Sequence, residues 1–64
     1  MAATNIKIAR ALEGMTQLEL AARAGIHVTV VSQIEHGWRV PTPDQLSKLK
    51  RALPRLKEVE TLLK

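Results

Sequence analysis

The chain contains no cysteine, no phenylalanine and no tyrosine, and Trp38 is its one large aromatic side chain. Without cysteine there is no disulfide and no thiolate metal site to staple a short chain, and the absence fits a reducing cytoplasm. His27 and His36 lie nine residues apart, a poor spacing for a shared metal, so no metal and no other cofactor is expected. No apolar run approaches the ~20 residues of a membrane span, and Met1-Ala2-Ala3-Thr4 does not read as a signal peptide, so no membrane partner is expected. A phosphate-binding glycine loop, a cysteine nucleophile and a carboxylate pair with a cleft to work in are all missing, which argues against an enzyme.

What is present is a short, aliphatic, basic chain. Its 64 residues make one domain, 1–64, and a chain of that size buries only about 60% of the surface its unfolded form exposes. The core must come from Leu, Ile, Val, Ala and Met. Net charge is +4 and the pI about 10.2, but the excess is uneven. Through residue 36, Lys7, Arg10 and Arg23 are balanced by Glu13, Glu19 and Glu35. From Gly37 onward, seven basic residues face Asp44, Glu58 and Glu60. A small basic domain suggests a polyanionic partner, although scattered surface charge would give the same count.

Local signals predict five short helices. Thr4 can cap a first helix carrying Ile6, Ala9 and Leu12 and ending near Gly14. Thr16-Gln17-Leu18-Glu19 is a capping box, with Met15 and Leu20 at the two hydrophobic-staple positions. Leu20, Ala21 and Ala24 then share one face, and Gly25 is placed to stop the helix in a left-handed conformation. Thr42-Pro43-Asp44-Gln45 starts a fourth helix with Leu46, Leu49 and Leu53 inward. A C-terminal helix over about 54–64 carries Leu56, Val59, Leu62 and Leu63.

The stretch from Ala24 to Gly37, AGIHVTVVSQIEHG, carries conflicting signals. Val28, Thr29, Val30 and Val31 are β-branched, and Ile26 to Val30 alternates apolar and polar as a strand does. Against that, Val31 and Ile34 are three apart, and two glycines twelve apart bracket a helix-sized segment. The expectation is a helix, with packing overriding propensity. Residues 16–37 then read as helix, tight turn, helix, a helix-turn-helix pattern in which Ala21 allows close approach and Gly25 the sharp turn.

Over residues from about 6 to 53 the chain resembles the phage-repressor and Cro-like (XRE-type) helix-turn-helix DNA-binding family. The matching positions are Thr16-Gln17, Leu20-Ala21, Ala24-Gly25-Ile26, Val31-Ser32-Gln33-Ile34-Glu35-His36-Gly37 and Pro41-Thr42. The resemblance implies an all-α, five-helix, lambda-repressor-like domain. It also implies a third helix lying in the DNA major groove, with Val28, Thr29, Ser32 and Gln33 toward base edges. Gln33 suits a bidentate pair with adenine, and Val28 offers methyls to thymine. Gln17, His36, Trp38 and Arg39 are the expected phosphate contacts, and Trp38 could equally join a dimer contact or cover the core. Arg10 and Glu35 correspond to a structural ion pair tying the reading helix to the scaffold.

Two departures from the family pattern stand out. The third helix has no Lys or Arg between His27 and His36, and His27 stands where the family usually caps with Ser or Thr. The resemblance implies a cytoplasmic, bacterial or phage-encoded transcriptional regulator of Cro or controller type, a repressor binding a pseudo-palindromic operator in double-stranded DNA. A homodimer is expected, at least on DNA, with Leu56, Val59, Leu62 and Leu63 as a possible partner surface, and with Trp38 and Val40 as further candidates. No small-molecule ligand is expected. Two other readings stay open: a protein-interaction module using the neutral third helix, or the antitoxin of a toxin–antitoxin pair.

Overall fold

Each helix boundary follows from a small number of side chains. The computed structural model describes residues 2–62 and contains five α-helices, with no strand among the described residues. They are α1 (Ala2–Leu12), α2 (Gln17–Ala24), α3 (Val28–Glu35), α4 (Pro43–Ala52) and α5 (Leu56–Leu62). The domain is all-α, as its patterning predicts, and measures 28 × 22 × 19 Å.

The capping box that opens α2 forms in both directions. Thr16 Oγ1 accepts the Glu19 N–H at 3.1 Å, and Glu19 Oε1 accepts the Thr16 N–H at 3.0 Å. The bond from the Thr16 backbone, aided by its hydroxyl, lowers the Glu19 pKa from the usual glutamate value. The same reciprocal pair opens α4, between Thr42 and Gln45 at 3.1 Å each way, with Pro43 in the first turn. Gly25 ends α2 at φ 71°, ψ 33°, a conformation costly for any residue with a Cβ, and its N–H bonds the Ala21 carbonyl at 2.9 Å.

The β-branched run is helical. Val31 and Ile34 are fully buried, and Val28 and Val30 pack partly against the same core. Burial of that face outweighs the few tenths of a kcal/mol per residue that Val and Thr lose in a helix. His27 does cap α3: its Nδ1 accepts the Thr29 N–H at 3.1 Å. Nδ1 is therefore unprotonated in this arrangement.

The core is aliphatic throughout, centred on Ile6, Leu20, Val31, Ile34, Leu49 and Leu53. α3 packs on α1 and α2, α4 on α2, and α5 on α1. Four expectations need correction. α1 begins at Ala2, ahead of Thr4, so Thr4 is not its cap. Leu12 is 53% exposed and lies outside the core. Pro54 and Arg55 form a turn, so α5 begins at Leu56 and not at 54. Leu56 and Val59 are each 2% exposed and complete the monomer's core, which leaves them no surface to offer a partner. Leu63, and the side chain of Leu62, lie outside the described residues.

Candidate nucleic-acid interface

Helix geometry sorts the residues of α3 into two faces. At 3.6 residues per turn, Val28, Ser32, His36, Thr29 and Gln33 fall within an arc of about 140°, opposite Val31 and Ile34. Thr29 and His36 are exposed, whereas Val28, Ser32 and Gln33 are half-buried. This arc carries hydroxyls, an amide, an imidazole and methyls but no permanent charge.

A buried carboxylate fixes the inward side. Glu35, the last residue of α3, has its side chain 2% exposed. Arg10 of α1 grips it as a fork, Nε donating to Oε2 at 2.7 Å and Nη2 to Oε1 at 3.1 Å. Arg10 Nη1 also donates to the Met15 carbonyl at 2.8 Å. Gln17 Nε2 supplies a third donor to the carboxylate, meeting Oε1 at 3.0 Å. One carboxylate thereby joins α1, the first residue of α2 and the end of α3. A bidentate guanidinium holds that geometry in a way a single ammonium cannot.

This network alters the expectation for Gln17. Its side chain is turned toward Glu35, and its backbone N–H lies at the start of α2, at the positive end of the helix dipole. The Gln17–Glu35 bond has no local sequence signal, since it joins residues eighteen apart.

The far end of α3 is closed by a Schellman motif. The Gly37 N–H bonds the Ile34 carbonyl at 3.0 Å and the Trp38 N–H bonds the Gln33 carbonyl at 2.9 Å, with Gly37 at φ 77°. His36 Nδ1 lies 2.7 Å from the Ser32 carbonyl. A carbonyl only accepts, so this nitrogen carries the proton. The His36 ring stacks on Trp38 with centroids 4.5 Å apart and planes 23° from parallel. Trp38 is nonetheless 76% exposed and Val40 80%. Arg39 is also exposed, and its Nε donates to Gln33 Oε1 at 2.8 Å. The sequence gives no hint of this last contact, because a glycine-closed turn must first bring the loop back beside the helix.

Among the described residues, no group of three or more His, Asp or Glu side chains is placed to hold a metal, and no helix is long and apolar enough to cross a membrane. A family model described as helix-turn-helix matches residues 6–60. The chain belongs to this Cro- and XRE-like helix-turn-helix family. Neither a curated protein nor a solved structure matches it. Membership makes the chain a DNA-binding regulator of transcription, with double-stranded DNA as its partner.

Proposed function

We propose that this helix-turn-helix protein is a sequence-specific repressor of Cro or controller type, acting from the cytoplasm and binding a pseudo-palindromic operator as a homodimer. The observation that carries this reading is the outward arc of α3, held in place by the buried Glu35 network. Reading a base edge requires side chains fixed to a fraction of an ångström, and a helix tied at both ends supplies that. Val28, Thr29, Ser32 and Gln33 meet the base edges of one half-site. Phosphates on either side are met by the N–H groups opening α2 at Gln17 and by His36. Occupancy of a promoter then excludes the polymerase.

One reading helix specifies too few base pairs for an operator, so two copies bind half-sites ~34 Å apart, one helical turn. Leu56 and Val59 are consumed inside the monomer; of the exposed large apolar side chains Leu12, Leu18, Trp38 and Val40, the last two are the most exposed and follow α3 directly in the chain. We assign the contact between copies to these two.

Selection of bound duplexes from a random pool at ~0.1 M salt tests this reading, with Gln33→Ala run alongside. The expected outcome is a palindromic motif in which the variant loses discrimination at one base pair per half-site, by ~1–3 kcal/mol. The neutral surface of α3 is what a protein-interaction module would also present. Weak, salt-sensitive retention of the pool with no enriched motif would favour that reading and end this one.

A further inference from the structure

We infer that Arg39 and Gln33 act as one reading unit, in which Arg39 sets the base preference of Gln33 and directs it to guanine. The inference rests on the proposed placement of α3 in the major groove.

A guanidinium has only N–H donors, so the amide atom facing Arg39 Nε at 2.8 Å must be the Gln33 oxygen. That settles which way the amide is turned. Its oxygen gives one of its two lone pairs to the loop, and its NH2 group keeps both of its donors for a ligand.

A glutamine that pairs with adenine needs both ends of its amide. The oxygen accepts from N6 and the NH2 donates to N7. In this arrangement a guanidinium already donates to one of the oxygen's two lone pairs before DNA arrives, and its positive charge beside that oxygen opposes the approach of a further N–H donor. The Gln33 NH2 and the two Arg39 Nη groups are all donors, so the pair offers more donors than acceptors. The major-groove edge that accepts at two adjacent atoms is guanine, through N7 and O6. A donor-rich pair fits it, whereas the N6 amino group of adenine meets mostly other donors.

The pair is also preorganised. The Gln33 carbonyl accepts the Trp38 N–H at 2.9 Å, and the Gly37 N–H closes on Ile34 at 3.0 Å. The backbone therefore returns the loop to Gln33 at the residue just before Arg39, and the side-chain bond repeats the connection one residue later. Two bonds to the same residue hold Arg39 beside α3 instead of leaving it a free side chain reaching for phosphate. Arg39 also supplies the cation that α3 itself lacks between His27 and His36.

The test compares relative affinities for the four base pairs at the position that Gln33 controls, using the parent, Gln33→Ala, Arg39→Ala and the double variant. The selected duplex and a scrambled duplex serve as probes. The parent is expected to favour guanine there by roughly tenfold or more. Arg39→Ala should lose that preference, moving toward adenine as the guanidinium beside the amide oxygen is removed. The double variant should discriminate no worse at this position than Gln33→Ala alone. The inference is overturned if Arg39→Ala lowers affinity for every duplex by one common factor and leaves the base preference intact, since Arg39 would then be a phosphate ligand only. It is equally overturned if the parent prefers adenine at that position. A parent that enriches no motif at all removes both the reading of the groove and this pairing, so the two failures are told apart by the parent alone.

Discussion

Glu35 is a charged residue at almost complete burial, and its three donors explain why it is there. A lone carboxylate in that position would cost several kcal/mol; Arg10 and Gln17 offset that cost by meeting both oxygens. The asymmetry of such pairs gives a prediction. Arg10→Met leaves the carboxylate buried with its main partner gone, and should cost ~3–5 kcal/mol in urea unfolding. In a chain of this size that is a large part of the total, so the variant should be partly unfolded at 25 °C. Unchanged stability would mean that the pair contributes nothing to holding α3. The Arg10–Glu35 pairing was legible in advance only through the family resemblance. The bonds from Gln17 to Glu35 and from Arg39 to Gln33 were not legible, because each depends on where a turn delivers a side chain.

At the scale of the helices, caps set the boundaries more sharply than apolar periodicity. Thr16 with Glu19, Thr42 with Gln45, and Gly25 were each readable from spacing, and each forms. Thr4 misled, because a cap residue is only permissive. α1 starts ahead of Thr4, and the chain takes a turn at Pro54 before α5 begins. The run from Val28 to Val31 could not be settled by propensity, since what decides it is a core face visible only after packing. His27 shows the same dependence on context: a residue poorly suited to capping accepts the Thr29 N–H because Gly25 and Ile26 turn the chain to present it. Truncating it should loosen the start of the reading helix. His27→Ala is expected to destabilise the domain by ~0.5–2 kcal/mol and to speed amide hydrogen exchange first at Thr29 and Val30. Equal exchange in the two proteins would show that the imidazole is not the cap that matters.

For the molecule as a whole, the supply of apolar residues constrains the assembly. With no Phe or Tyr, the core is built from aliphatic side chains alone, including Leu56 and Val59 of α5. A sequence pattern cannot separate core from interface when both are aliphatic and helical, and α5 is where that ambiguity fell. The proposed contact through Trp38 and Val40 predicts that Val40→Asp keeps the monomer's stability within ~0.5 kcal/mol, as an exposed substitution should. The same change should convert cooperative operator binding into binding of single half-sites. Cooperative binding that survives the substitution would place the interface elsewhere.

In the proposed complex the outer face of α3 meets the bases. The most direct measurement is a titration of 15N-labelled protein with the selected duplex, followed by amide shift changes along the chain. The account predicts the largest changes at Val28, Thr29, Ser32 and Gln33, with smaller ones at Gln17 and His36 and almost none at Leu56 and Val59. Changes concentrated on α4 and α5, with α3 unmoved, would contradict it.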